Sequence, residues 1–403
     1  MSNVKECNDV LVAHTKEGKL ISLGKHHSAE RLREMRSTLQ FFCPSCKEPL
    51  QLKVGTKKIP HFAHLKQRSC ESSHEGETDY HMLGKRQLYE WISSTHRVEL
   101  EEYMADIRQR PDLLLRTPSA VYPIEYQCAA LSLEMFTKRN QSYLGQDYRP
   151  IWIIGAKRLK RLSTHMIQLK SQDWQYLSAI PQLPTLFYFS PDDQQLIKIS
   201  HLYAFSSTIC FGTFHYSSTH QLTFEEWVLG GIEKEPVVWT AWLERKRKWR
   251  TTYMIYSNKQ TRPFLELLYT LQIPPSHFPA EAGIPLSSSY LFETPSCIWQ
   301  AYILFDLFRY TRMDEEIAYE TIRNRLKKRM KEGHIKQRFE REGDWEIPLQ
   351  EYLQFLCDIK LIKKSSDTYY ILKRTYTIPH KMNDVFQADW DCLYAWLSKR
   401  NDM

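Results

Sequence analysis

Apolar and polar residues change rhythm several times along the chain, and each change marks an element. Val10-Leu11-Val12-Ala13 and Leu20-Ile21-Ser22-Leu23 flank Lys16-Glu17-Gly18, which predicts a hairpin. Ser28 is placed to cap a short helix over 29–35. A second hairpin follows, with Cys43 and Cys46 at one end, so 1–70 reads as a small β module. Residues 71–158 read as helix, strand, strand, strand, helix, strand. The helix covers 77–91, a weakly marked strand 97–104, and a hairpin of 110–115 with 120–127 turns about Thr117-Pro118-Ser119. A helix over 133–145 and a short, wholly apolar strand over 150–154 complete this part. Residues 159–272 are a mixed α/β region with a hairpin about Pro191-Asp192-Asp193. The Pro-rich stretch 273–285 reads as a linker, and 286–403 as a mainly helical domain. An α+β multidomain protein is expected.

Composition adds little and excludes more. The chain has 403 residues, 42 % hydrophobic and 25 % charged, as ordinary globular chains do. A formal net charge of +8 permits a polyanionic partner without requiring one. Nine cysteines, mostly scattered singly, argue against a secreted disulfide framework and for reduced thiols in the cytoplasm. No apolar run reaches membrane-spanning length, and no membrane partner is expected.

Cys43-x2-Cys46 followed by His61-x2-His64 offers two thiolates and two imidazoles, a tetrahedral set for a structural Zn²⁺. The second half is tighter than the spacing of helical fingers and suits a turn or strand end. Cys70 and His74 lie nearby and could replace one ligand. The alternative is a pair of surface histidines and two unligated thiols.

The second constellation is acidic. Asp112 and Glu125 lie six residues either side of Pro118-Ser119. In a hairpin centred there they stand opposite each other on one face, with Cβ atoms about 5 Å apart. Alternation puts Gln127 on the face of Glu125. Two carboxylates so close repel unless a cation lies between them, and Mg²⁺ or Mn²⁺ suits oxygen ligands. A solvated acidic pair is the alternative, though both strands are rich in apolar residues. On the preceding helix Glu77, His81 and Lys85 recur every four residues and share the face of Leu88, Trp91 and Ile92. Polar groups on a face that should pack on the sheet invite a functional explanation; a surface Glu–Lys ladder is the plainer one.

Helical Glu77, then Pro111-Asp112, then Glu125-x-Gln127 resembles the PD-(D/E)xK, restriction-endonuclease-like αβββαβ nuclease core. The segments FFCPSCKEPL, PHFAH, ETDYHMLGK, QRPDLLL and IEYQ resemble the competence protein CoiA family, strongly over 1–155 and more weakly beyond. That resemblance implies work in DNA uptake and recombination during genetic transformation, DNA as a partner and a functional link to the RecA recombinase. It also implies divalent-ion ligation by Asp112, Glu125 and the Tyr126 carbonyl, with Glu77 orienting water or a second ion. Gln127 stands where the nuclease pattern has lysine. Either Lys85 supplies the missing cation or activity is weak or lost.

Further on, Arg245-Lys246-Arg247-Lys248-Trp249-Arg250 joins basic charge to a stacking residue, and a longer basic run over 323–329 continues through Lys331, Lys336, Arg338 and Arg341. Each is either a phosphate-binding surface or a solvated helix face. An amphipathic helix over 349–362 followed by a hairpin resembles a winged-helix end; a structural helical cap is the alternative. Three functions stay open: a metal-dependent deoxyribonuclease, a non-cutting DNA-binding recombination mediator, and a zinc-containing DNA-binding regulator.

Overall fold

A computed structural model describes residues 9–25, 27–55, 58–65, 78–178, 184–230, 238–252, 261–339, 343–376 and 378–401. It is mixed α+β with several sheets, and its contacts divide the chain into two compact units.

Unit 1 holds residues up to Lys160, then Lys170–Ser200 and Phe214–Lys234. It opens with β1 (Val12–Thr15) and β2 (Leu20–Ser22), paired antiparallel across a turn in which Gly18 has φ +80°, where a side chain would be strained. Helix α1 (Ala29–Thr38) follows, with the Ser28 hydroxyl accepting from Arg31 N as its cap. Strands β3 (Phe41–Phe42), β4 (Pro49–Lys53) and β5 (His61–His64) complete a five-stranded sheet of order β2-β1-β3-β4-β5.

Next come α2 (Asp79–Ser93), β6 (Val98–Leu100), β7 (Leu113–Arg116), β8 (Val121–Gln127), α3 (Leu133–Leu144) and β9 (Ile151–Gly155). This is the expected succession. Strands β6, β7 and β8 pair antiparallel and β9 adds parallel to β8. A parallel neighbour needs a crossover, and α3 provides it. Strand β6 is shorter than expected because Glu101 adopts φ +50° and turns the chain away. Helix α2 buries Met82, Lys85, Leu88, Trp91 and Ile92. A Cβ on Gly84 would lie 2.2 Å from Cε1 of Tyr126, so only glycine lets α2 approach β8 there. Leu11, with Val12 and Phe62 of the first sheet, shares one core with Leu88, Ile92, Leu113 and Ile124.

Short strands β10 (Lys160–Arg161) and β11 (Met166–Gln168) precede β12 (Leu186–Ser190), β13 (Gln195–Ala204) and β14 (Ile209–Ser218). In unit 1, β12 lies parallel to β9 and antiparallel to β13 across the expected Pro191-Asp192-Asp193 turn. The short α4 (Phe224–Val228) covers this part, with Trp227 edge-on to Phe187.

Unit 2 contains α5 (Trp239–Thr252), α6 (Arg262–Thr270), α7 (Ser296–Ile303, continued as a π-helical turn to Phe308), β15 (Glu316–Ala318), α8 (Tyr319–Lys331), α9 (Glu346–Asp358), β16 (Ile362–Lys364), β17 (Tyr369–Leu372) and α10 (Met382–Asn401). The three strands form an antiparallel sheet of order β15-β17-β16.

Two expectations fail here. Residues 273–285 are not a linker: Phe278, Ala282 and Ile284 are in the core. An irregular backbone can be buried only if its polar groups find partners. Arg250 donates to the carbonyls of Ser276 and Phe278, Lys246 to that of Ala280, and the Gln300 amide oxygen accepts from Gly283 N and Ile284 N, both at 2.8 Å. The same contacts remove Lys246 and Arg250 from any phosphate-binding surface. Both are buried, both pair with Asp389 at 2.8 Å, and Trp249 packs edge-on to Phe278.

Candidate functional site

The hairpin register is the one the turn implied. Leu113 pairs with Ile124 and Arg116 with Val121, so the residues one step outward, Asp112 and Glu125, face each other. Asp112 Oδ2 accepts from Tyr126 N at 2.8 Å. Helix α2 lays a histidine and a lysine over this end of the hairpin. His81 Nε2 lies 3.5 Å from Asp112 Oδ2, with its ring stacked on Tyr126 at 5.6 Å. Lys85 Nζ lies 3.5 Å from Asp112 Oδ1 and 2.5 Å from Glu101 Oε1. Lys85 is only 1 % exposed, and Glu101 Oε2 accepts from Leu11 N at 3.0 Å.

Glu125 is held differently. Its Oε1 accepts from the Tyr143 hydroxyl at 2.6 Å and its Oε2 from Arg139 Nη1 at 3.0 Å, both from α3. Burial pushes its carboxyl up to about 7, against the pull of Arg139 and with a further push from Asp112. Asp112 goes the other way: Lys85 and His81 outweigh its own burial and hold it well below the usual carboxylate range. Two facing acids with pKa values driven apart are a recurrent arrangement at sites that bind or move protons.

Of the residues marked in the sequence, His81, Lys85, Asp112, Glu125 and the Tyr126 backbone converge. Gln127 does not join them, because its amide nitrogen donates to Ala129 O at 3.0 Å. Glu77 lies outside the described residues. Glu101, Arg139 and Tyr143 escaped the sequence reading. The last two stand four apart on one face of a predicted helix, which is the signal that could have found them. Glu101 sat in an acidic stretch at a strand end and offered none.

The carboxylate pair therefore does not need a metal to be tolerated, since each partner already has cations or donors of its own. A divalent ion would find Asp112 half-buried at the edge of the cluster. Glu125 could join it only if Arg139 or Tyr143 released an oxygen.

The second cluster is at the edge of the first sheet. Ligand atoms of Cys43, Cys46 and His64 lie within 4.8 Å of one another. Cys46 Sγ is 3.4 Å from His64 Nε2, close to the roughly 3.6 Å that separates sulfur and nitrogen ligands on one tetrahedral zinc. His64 Nδ1 is buried and makes no hydrogen bond. These donors fit zinc. His61 is not with them: its Nδ1 lies 2.8 Å from Ile59 O and its Nε2 3.4 Å from Asp9. On a strand, residues three apart point to opposite faces, so His61 and His64 cannot both face the thiolates. Cys70 and His74 fall outside the described residues.

Three domain families match in succession. Residues 24–73 match the N-terminal domain of competence protein CoiA, 77–230 its nuclease-like domain and 238–386 its C-terminal domain. The chain belongs to the competence protein CoiA family. It is 28 % identical over 362 residues to competence protein CoiA of Bacillus subtilis (strain 168), which covers 88 % of this chain and 95 % of that relative. No solved structure matches. Every residue of the carboxylate cluster apart from Leu11 falls within the stretch that matches the nuclease-like domain. Among the described residues no helix is long and apolar enough to cross a membrane.

Proposed function

We propose that this CoiA-family protein acts on DNA during competence, in uptake or homologous recombination in the cytoplasm, as a PD-(D/E)xK-type deoxyribonuclease centred on Asp112 and Glu125. The observation that carries this is the facing of Asp112 and Glu125 across β7 and β8 beneath His81 and Lys85. An αβββαβ succession presents an acid at the start of the second strand and another on the third. Mg²⁺ or Mn²⁺, when bound, would be held by Asp112, Glu125 and the Tyr126 carbonyl, and would polarise water and neutralise phosphate charge. Lys85, fixed by Glu101, would take the place of the motif lysine that Gln127 lacks. A structural Zn²⁺ on Cys43, Cys46 and His64 would hold the first sheet.

The test is cleavage of single- and double-stranded DNA with Mg²⁺, Mn²⁺ or EDTA. Wild type should cut only with metal. Asp112→Ala should fall to background with DNA binding largely intact, and Lys85→Ala should lose roughly 10²-fold or more. Equal cutting by Asp112→Ala would assign the activity elsewhere.

One observation favours a second reading, a DNA-binding mediator that assists the RecA recombinase without cutting. Both oxygens of Glu125 are occupied by Arg139 and Tyr143, and Gln127 is turned away. DNA binding with no cleavage under any metal, together with stimulation of RecA-driven strand exchange, would establish that reading over the first.

A further inference from the structure

The longer basic run lies on α8, and the structure sorts its charges. Arg323 pairs with Glu346 and Glu320, and Arg329 makes a two-pronged contact with Asp306 at 2.6 and 2.7 Å. Lys328 has Glu332 at 3.8 Å. Beyond the helix, Arg338 is spent on the carbonyls of Tyr290, Ser207 and Phe292, and Arg341 lies outside the described residues. Arg325, Lys327 and Lys331 are exposed and have no ion-pair partner among the described residues. Asn324, Lys327, Lys328 and Lys331 recur at i, i+3, i+4 and i+7, so they make one continuous face, which Arg325, three residues before Lys328, borders. The opposite face, with Ile322 and Leu326, is in the core.

The surrounding order is α7, β15, α8, α9, β16, β17 with sheet order β15-β17-β16. That is the succession of a winged helix, in which the second helix of the helix-turn-helix pair, here α9, ordinarily enters the major groove. Helix α9 is unsuited to that. It has no lysine or arginine, and Leu349, Tyr352, Leu353, Phe355 and Leu356 are buried. Glu351 is bound to the backbone N–H groups of Ser287 and Ser288.

We propose that unit 2 carries a nucleic-acid-binding surface on the exposed face of α8, in a winged-helix frame whose usual reading helix, α9, is structural. The ligand is the phosphate backbone. Arg325, Lys327 and Lys331, none of them in an ion pair among the described residues, attract phosphate, and contacts to the phosphate backbone carry no sequence information. A membrane surface fits less well. Interfacial helices bury an apolar face in lipid, whereas the apolar face of α8 is already in the core.

The test is fluorescence anisotropy of the full chain in EDTA, with 30-nucleotide duplex and single-stranded DNA, from low to high salt. Because no metal is present, the result is independent of any chemistry at Asp112. The triple variant Arg325→Gln, Lys327→Gln, Lys331→Gln should lower the slope of log K against log salt by about 2.7 for duplex and about 2.1 for single strands. At 0.1 M salt, affinity should fall by on the order of 10²-fold. Lys16→Gln, Lys19→Gln, Lys25→Gln removes equal charge from the first sheet and should change little, as should Gln350→Ala, Gln354→Ala on α9. Thermal melts check that each variant folds. An unchanged slope in the α8 variant, an equal effect of the control triple, loss of binding in the α9 variant alone, or, when phosphatidylserine vesicles are titrated in place of DNA, a loss in the α8 variant that the DNA titrations do not show, would each overturn the proposal.

Discussion

Lys85 and Glu101 form a buried ion pair, 2.5 Å from Nζ to Oε1, that joins α2 to the end of β6. Because Glu101 also accepts from Leu11 N, the pair ties the first sheet to the lysine above Asp112. Removing Glu101 leaves the buried Lys85 charge with only the longer 3.5 Å contact to Asp112. Glu101→Gln should therefore cost about 3–5 kcal/mol in urea unfolding. Adding Lys85→Met should cost much less than the sum of the two single changes. Additive losses would mean the two charges do not depend on each other.

The proposed zinc ligands can be told from their neighbour. Elemental analysis of protein purified without chelator should find about one zinc in wild type and in His61→Ala. Cys43→Ser, Cys46→Ser and His64→Ala should each lose it, because each removes a donor from the convergent set. Zinc lost from His61→Ala and kept in His64→Ala would reverse the assignment.

Glu125 predicts a pH dependence with a definite sign. Its folded value, about 7, lies above its ordinary value of 4.5, so the folded state holds the proton more tightly than the unfolded chain. Its contribution to stability is full at acid pH and is lost as pH rises through that window, by up to a few kcal/mol. Asp112, depressed, contributes oppositely: its stabilisation is present above its ordinary value of 3.8 and is lost only in stronger acid. Between pH 5 and 8 the stability gap should therefore move in favour of Glu125→Gln relative to wild type. Melting curves giving a constant gap would contradict the burial-driven shift. If Glu125 ligates a divalent ion as proposed, that binding, which needs the ionised acid, should strengthen as pH passes 7.

Gly84→Ala tests how close α2 comes to β8. The added methyl would stand 2.2 Å from a Tyr126 ring carbon, so helix or ring must move. The helix-propensity gain of about 1 kcal/mol should be outweighed by an overpacking cost of roughly 1–3 kcal/mol, seen as a lower Tm. A higher Tm would show that the ring yields freely.

The sequence was most informative where chemistry is local. A Thr-Pro-Ser turn set the register that faces Asp112 with Glu125, and a four-residue period put His81 and Lys85 on the packed face of α2. It was least informative where partners are remote. Nothing near Glu125 announces Arg139 and Tyr143, fourteen and eighteen positions on, as the groups that hold it. Nothing near Glu101 announces Lys85. His61 was misread because two ligand-type residues three apart look like a pair on a string, whereas a strand separates them. The burial of Lys246 and Arg250 on α5 was hidden for a related reason: Asp389, which pairs with both, lies 139 positions beyond Arg250.

The buried irregular stretch between α6 and α7 has a consequence for how unit 2 assembles. Helices and hairpins can close their own hydrogen bonds early, one turn or one rung at a time. The stretch near Phe278 and Ile284 cannot, because its partners are the side chains of Arg250 and Gln300 on flanking helices. Until α5 and α7 are in place, enclosing it would strand polar backbone away from water. It should therefore be among the last parts of unit 2 to become ordered, seen as late amide protection in pulse-labelled refolding. Once in place, it should resist hydrogen exchange as firmly as the helices that hold it, despite having almost no regular structure of its own.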